Sequence, residues 1–388
     1  MLRETRSPRQ NCREKIERLG LLFHTVDDQP YWNESAAYRF EKPEIDKIEA
    51  ATNELQATCL EAVERIISQD QFDRLNIPEW VRPTIVNAWD DDPPALYGRF
   101  DLAYNGNGDP KLLEYNADTP TSLLEAAVIQ WHWLQEVMPQ ADQFNSIWEG
   151  LTAKWKALIE EGYLDSGIVH FGCMDATEDL MTTAVLMDTA AEAGLEPRFM
   201  YMNQIGWDSS KDCFVDRGQD RIRTLFKLYP WEWLIKDEFG KHAIRTYSHI
   251  QWIEPIWKML LSNKAILPIL WEMYPNHPNL LPAYLDGPHG MTEFVKKPTL
   301  GREGANVEII TERTSFTNPG DYGDGQFVWQ QYEPLPLFDG NHAVIGSWVI
   351  DGEARGIGIR ESDSPITQDL ARFVPHYFEN PSLSNAVT

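Results

Sequence analysis

The sequence predicts an α/β (α+β) chain, and three stretches carry that prediction. In the middle, Gly167 to Cys173 (GIVHFGC) reads as a buried strand, Glu178 to Gly194 as a helix ending on glycine, and Arg198 to Met202 as a second strand. Such β-α-β alternation implies a parallel sheet. Earlier, Leu96 to Glu125 reads as a hairpin, with two alternating runs flanking the turn formers Asn105 to Pro110. In the last third, Met291 to Ile310 reads as strand, glycine loop, strand.

The bulk numbers set bounds. A chain of 388 residues, 43% of them hydrophobic, can bury a substantial core and form two or three lobes within one functional unit. The net charge of -26, from 34 basic and 60 acidic residues, disfavours nonspecific binding to nucleic acid or to anionic membranes. It tolerates a cationic partner such as a polyamine, though an acidic surface usually serves solubility alone. Cys12, Cys59, Cys173 and Cys213 show no CxxC pair, and neither a signal peptide nor a bilayer-spanning apolar run is evident. A reduced, cytoplasmic protein is expected. The nine histidines include no HExxH, so no zinc site is expected.

Met1 to Arg18 is polar and charged, expected as a loosely held arm leading into a short helix. Lys42 to Gln69 carries Ile45, Ile48, Ala51, Leu55, Cys59, Val63 and Ile66 or Ile67 at steps of three and four, the stripe of a long amphipathic helix with Pro43 in its first turn. Asn76 to Pro94 reads as a Pro- and Trp-bearing connection. After the hairpin, Leu123, Ala127, Trp131, Leu134 and Met138 mark a second helix and Leu151 to Glu161 a third. Past the β-α-β unit, Arg221 to Leu234 contains Leu-Tyr-Pro-Trp-Glu-Trp, and Pro255 to Trp271 is apolar and helix-like, interrupted at Ser262-Asn263-Lys264. Gln326 to Tyr332 is a strand, and Ala343 to Ile350 with Ala354 to Glu361 forms a hairpin across Asp351-Gly352. The tail after Asn380 is expected to be disordered. No internal repeat is present.

The chemistry-bearing residues follow from these elements. Residues two apart on a strand share a face, so Arg99 and Asp101 point one way while Phe100, Leu102 and Tyr104 point the other. Glu114 and Asn116 share a face on the second arm. Folding the hairpin brings together an arginine, two carboxylates and an amide, oxygen donors suited to Mg²⁺ with phosphate. A solvated polar face would look the same from the hairpin alone. The glycine loop at Gly301 to Gly304 can cradle phosphates, yet it is neither a Walker loop nor a Rossmann fingerprint, and a tight hairpin would use glycine as well. Lys264, Lys297 and Arg360, added to Asp101, Glu114 and Asn116, make a set that could neutralise a triphosphate.

Arg99-x-Asp101, Glu114-Tyr-Asn116-Ala-Asp118-Thr119, Ser262-Asn263-Lys264, Lys297-Pro298, Gly301-Arg302-x-Gly304-x-Asn306 and Gly358-Ile-Arg360 occur in this order. Together they resemble the synthetase region of the glutathionylspermidine synthase family, most closely its short bacterial acid–amine ligase homologues. The resemblance runs from about Gly20 to Tyr377. It implies an ATP-grasp synthetase fold with a central mixed sheet region, a pre-ATP-grasp-like α/β lobe and a glycine-loop lid. The expected organisation is a single unit, 1–388. Its lobes would be 20–150 (helical, with the metal-binding hairpin), 165–255 (α/β, substrate) and 265–378 (lid and nucleotide).

The same resemblance implies the cofactors ATP and Mg²⁺ and small-molecule acid and amine substrates. Asp101, Glu114 and Asn116 would hold Mg²⁺, and Arg99 would stabilise the phosphoryl group in transfer. Lys264, Lys297 and Arg360 would hold phosphates under Glu303-Gly304. The adenine would lie against Trp329 to Glu333, with Gln330 or Gln331 and Tyr332 at its edge and Ile366 and Thr367 nearby. Thr119, Glu178, Asp179 and Glu232 would line the acid and amine side. Two departures bear on the substrates. The chain is expected to lack the papain-like amidase half of bifunctional members, and its loop reads Gly-Arg-Glu-Gly where a cysteine would stand in those members. The expected activity is amide-bond formation at the expense of ATP, through an acyl phosphate. Two rival readings are a nucleotide-binding ATPase module without ligase activity, and a noncatalytic polyamine-binding protein. The second leaves the loop, lysines and carboxylates unexplained.

Overall fold

The structure, a computed structural model, describes residues 1–26, 29–164, 167–368 and 371–379. Three sheets frame the molecule. The largest is antiparallel, in the order Arg372–Val374, Glu353–Ser362, Asn341–Ile350, Tyr97–Ala103, Lys111–Asn116, so the early hairpin is completed by strands from the far end of the chain. The second is wholly parallel, in the order Gln251–Ile253, Thr224–Leu228, Ile168–Cys173, Glu196–Tyr201, as the central β-α-β alternation predicts. The third is antiparallel, running Ala283–Tyr284, Phe327–Gln331, Phe294–Pro298, Glu308–Ile310, Ser315–Thr317, and carries the glycine loop between its third and fourth strands.

The long helix Lys42–Ser68 buries the stripe read from the sequence: Ile45, Ile48, Leu55, Cys59, Val63 and Ile66 are each at most 2% exposed. They join Phe100, Leu102, Ile345 and Ile359 of the largest sheet in one core cluster. That explains the hairpin's alternation, because the face opposite Arg99 and Asp101 is the face the helix covers. At the Asp351-Gly352 turn both residues have positive φ (52° and 78°), as a tight two-residue hairpin connection requires. The interruption of the apolar 255–271 region is also found: helices Lys258–Ser262 and Ile266–Met273 flank it. No described helix is long and apolar enough to cross a membrane.

Three expectations are corrected. The N-terminal arm is not loosely held: Leu2–Thr5 pairs antiparallel with Ala36–Phe40, and the Met1 ammonium pairs with Glu44. A polar sequence hid this because a short edge strand draws its hydrogen bonds from backbone. The 76–94 connection contains a helix, Arg82–Asp90, with Pro83 in its first turn and Ile85 and Ala88 buried. The helix after the hairpin opens with a π-helical turn, Glu125–Ile129, before Gln130–Val137. The extra residue of that wider turn shifts the buried stripe, so Trp133 is 1% exposed while Trp131 is 41% exposed. The expectation for the tail after Asn380 lies outside the described residues.

Candidate functional site

The hairpin's register places Arg99 opposite Asn116 and Asp101 opposite Glu114, and a bulge after Asp101 then shifts the pairing so that Leu102 meets Leu112. Arg99 Nε donates to Asp101 Oδ1 at 2.9 Å and Nη1 to the Thr121 carbonyl at 2.8 Å. Arg360, two strands away, reaches across and donates Nη2 to Asp101 Oδ2 at 2.6 Å. The intervening strand presents Gly346, where a Cβ would stand 2.9 Å from Arg99 Cδ, so a side chain there would displace the guanidinium. Asp101 is therefore a buried carboxylate between two arginines.

Lys264 falls in the break between the two helices and lies 3.1 Å from Glu114 Oε2, donating also to the Gly301 carbonyl at 2.8 Å. Asn116 Nδ2 donates to Glu114 Oε1 at 3.2 Å. Burial opposes ionisation of Glu114, but the charges of Lys264 and Lys297 outweigh it and hold the carboxyl well below its usual range. Lys297 Nζ donates to the Leu113 carbonyl at 2.6 Å and Gln330 Oε1 at 2.8 Å. Burial pushes its ammonium down to about 8, against the pull of Glu114. Asp101, Glu114 and Asn116 thus offer two carboxyl groups and an amide on adjacent rungs, all hard oxygen donors and few enough to leave positions for phosphate oxygens. Among the described residues no cluster of three or more His, Cys, Asp or Glu forms a self-sufficient metal cage. A divalent ion fits here only if a ligand completes its shell.

Beside this charged centre, a more apolar cleft lies between the third sheet and the largest one. Val295, Val307, Ile309, Val344 and Ile366 line it, together with Gln330, Gln331, Tyr332 and Thr367. Gln330 is 2% exposed and engages Lys297 and the Leu112 carbonyl, whereas Gln331 is exposed. Gly304 of the glycine loop borders this cleft. Glu303 and Gly304 both adopt positive φ (53° and 68°), and a Cβ on Gly304 would stand 2.6 Å from the Thr367 carbonyl oxygen. Arg302 Nη2 donates to Thr119 Oγ1 at 2.7 Å while its guanidinium stacks 4.8 Å over the Trp233 ring.

That Arg302–Thr119 strap separates two further clefts. One is lined by Arg99, Thr119, Ser122, Glu178, Asp179 and Tyr31; Glu178 accepts from Ser122 Oγ at 3.2 Å. Burial, reinforced by the Glu178 charge, pushes Asp179 up to about 6. The other is lined by Thr119, Glu232, Trp233, Lys236, Lys264 and Tyr322. Burial, with the Asp118 charge, raises Glu232 as well. The metal, nucleotide and substrate candidates named from the sequence thus lie on three adjoining clefts: the one with Glu178 and Asp179 shares Asp101 and Glu114 with the apolar cleft and Thr119 with the cleft of Glu232, and the glycine loop borders all three.

Sequence reasoning passed over several groups. Tyr31 and Ser122 line a cleft, and Glu125, bonded by Tyr31 OH at 2.8 Å, is pushed up to about 7 by burial. Nothing in their local sequence marks them. Asp118 and Lys227 form a buried ion pair at 2.7 Å. That pair had a signal: a lysine inside the apolar strand Thr-Leu-Phe-Lys-Leu needs a partner.

The family described as "Glutathionylspermidine synthase preATP-grasp" matches residues 3–379. A Haemophilus influenzae protein named "Putative acid--amine ligase" is 42% identical over 367 residues, covering 91% of this chain and 92% of its own. Trypanothione synthetase of Crithidia fasciculata is 30% identical over 338 residues, covering 79% of this chain and 51% of its own. The bifunctional glutathionylspermidine synthetase/amidase of Escherichia coli is 25% identical over 357 residues, 84% of this chain and 56% of its own. The chain spans about half the length of those two larger enzymes.

Proposed function

The chain belongs to the glutathionylspermidine synthase family, and from that premise we propose that it is an ATP- and Mg²⁺-dependent ligase joining a small carboxylic acid to an amine. The observation that carries this reading is the convergence of Arg99, Arg360, Lys264 and Lys297 on Asp101 and Glu114. Without a ligand Arg99 and Arg360 pair with Asp101 and Lys264 with Glu114, while Lys297 beside them rests on the Leu113 carbonyl and Gln330; a Mg-bound polyphosphate would supply partners to all of them at once, its oxygens meeting the cations and its metal the carboxylates.

Mg²⁺ bound by Asp101, Glu114 and Asn116 would neutralise the phosphate oxygens. Lys264, Lys297 and Arg360 would hold those oxygens in place, and Arg99 would meet the charge on the phosphoryl group in transfer. A carboxylate oxygen of the acid attacks the γ-phosphorus, the bond to the β-bridging oxygen breaks, and ADP leaves. The amine then attacks the acyl carbon, phosphate departs, and the amine's surplus proton passes to a base or water. The glycine loop, strapped by Arg302 to Thr119, would keep water from the acyl phosphate. The apolar cleft with Gln331, Tyr332, Ile366 and Thr367 would take the adenine. Glu178, Asp179 and Glu232, carboxyls bordering the clefts beside Thr119, favour a cationic amine such as a polyamine. In this reading the lobes 20–150, 165–255 and 265–378 supply metal, substrate and nucleotide contacts respectively.

The test is Glu114→Ala, assayed for ADP release with Mg·ATP against a panel of thiol peptides, amino acids and polyamines, with mass-spectrometric search for the amide. The wild-type protein should be stimulated by one acid–amine pair. The variant should lose turnover by about 10³-fold or more while keeping its circular dichroism spectrum. Retained turnover would remove the metal assignment.

A further inference from the structure

The parallel sheet carries two buried ion pairs that grip both ends of the Arg99/Asp101–Glu114/Asn116 hairpin. At the exit, Lys227 on strand Thr224–Leu228 is 0% exposed, and its ammonium donates to Asp118 Oδ1 at 2.7 Å. Asp118 Oδ2 accepts the Trp231 backbone N–H at 3.0 Å, and Lys227 Nζ lies 4.6 Å from the Trp231 ring centroid. The backbone amides of Ala117 and Asp118 donate to Ser262 Oγ, two residues before Lys264.

At the entrance, Glu254, directly after the neighbouring strand Gln251–Ile253, is also 0% exposed. Its Oε1 accepts the backbone amides of Leu96 at 2.9 Å and Tyr97 at 3.1 Å, and Lys258 pairs with it at 2.5 Å while donating to the Tyr97 carbonyl at 2.7 Å. Trp231 ties the two together, since its indole Nε1 donates to the Glu254 carbonyl at 3.0 Å.

Two ion pairs out of water are costly to fold around, and apolar residues of similar volume would pack there at less expense. The Lys258–Glu254 pair lies off the three clefts, whereas Asp118 borders the cleft of Glu232 and Trp233 while its carboxylate is held by Lys227 and the Trp231 amide. We propose that Lys227–Asp118 and Lys258–Glu254, linked through Trp231, are positioning pairs that fix the phosphate-bearing hairpin in register with the lobe holding Glu178, Asp179 and Glu232. On the ligase reading, on which the functional half of this inference rests, they set the distance between the acyl phosphate and the incoming amine. On that reading the polyphosphate would be held by groups of the hairpin, the glycine loop, Lys264, Lys297 and Arg360. The pairs should therefore matter for transfer and little for ATP binding.

Two double variants separate position from stability, because each replaces a pair by neutral side chains of similar size: Asp118→Asn with Lys227→Met, and Glu254→Gln with Lys258→Met. Mg·ATP affinity is measured by titration calorimetry, and ADP release and amide formation with glutathione and spermidine as probes. The expected result is an ATP Kd within about twofold of wild type and a tenfold or greater rise in ADP released per amide formed. Wild-type coupling in variants whose only change is a lower melting temperature would overturn the inference.

If wild-type protein binds ATP but makes no amide from these probes, the ligase reading with these substrates fails, and hydrogen exchange decides the positioning role by itself. Amides 96–97 and 117–119 should lose protection together when either pair is replaced, because Trp231 links them. Loss confined to the altered end would overturn it.

Discussion

Lys297 gives the sharpest quantitative test of the site. In the ligand-free protein, burial holds its ammonium near 8 even though Glu114 pulls the other way. Placing polyphosphate oxygens beside it returns the group to at least the ordinary lysine value, about 10.4. Binding must then take up the proton that the free protein lacks. That uptake is roughly 0.1 proton at pH 7, 0.5 at pH 8 and 0.9 at pH 9. The sign is fixed: nucleotide affinity falls as pH rises, because part of the binding energy goes into reprotonating Lys297. Between pH 7 and pH 9 the loss is about tenfold, or about 1.4 kcal/mol. The assay is calorimetric titration with Mg·ATP in buffers of different ionisation enthalpy at each pH, with Lys297→Met as the baseline for all other titrating groups. The wild-type excess over Lys297→Met should follow this curve, and the variant should bind more weakly by roughly ten- to a hundredfold at pH 7. Equal proton uptake by the two proteins at pH 8 and 9 would refute the reasoning, showing that Lys297 is either charged beforehand or not in contact with phosphate.

Two further predictions concern the loop and the core. Gly304→Ala forces an L residue into φ 68° with its Cβ 2.6 Å from the Thr367 carbonyl oxygen, so the loop must lift from the 366–367 segment. Mg·ATP affinity should drop about tenfold or more, with a melting temperature near wild type, since the loop contributes little to the core; unchanged affinity would show that the loop does not cover the nucleotide. Leu55→Ala removes a 0%-exposed side chain from the centre of the long helix's buried stripe. It should cost about 2–5 kcal/mol in urea unfolding, and a loss under about 1 kcal/mol would mean that the helix is less firmly packed against the sheet than its burial indicates.

Much of the fold was legible because periodicity records burial. The stripe from Ile45 to Ile66, the alternation through Phe100 and Leu102, and the β-α-β run after Gly167 each report one face turned to a core. The failures were equally physical. Leu2–Thr5 is a strand by backbone pairing alone, and the π-helical turn at Glu125–Ile129 shifts a stripe that a fixed period assigns to Trp131.

For the site, the sequence by itself determined which residue types occur and which share a strand face: Arg99 with Asp101, Glu114 with Asn116, and a glycine loop beside Lys297. Pairing across distant strands, the reach of Arg360 over Gly346, the pairing of Lys264 with Glu114 and the bonds of Lys297 to the Leu113 carbonyl and Gln330 were decided only in three dimensions. So were Tyr31 and Glu125, and the tie from Lys227 through Asp118 to the hairpin's exit. The reason is the range of the forces involved. Local sequence encodes which way a side chain points, through the repeat of helix or strand. Which charge it meets depends on contacts between residues from 94 to 259 positions apart, fixed when the sheets close on the long helix.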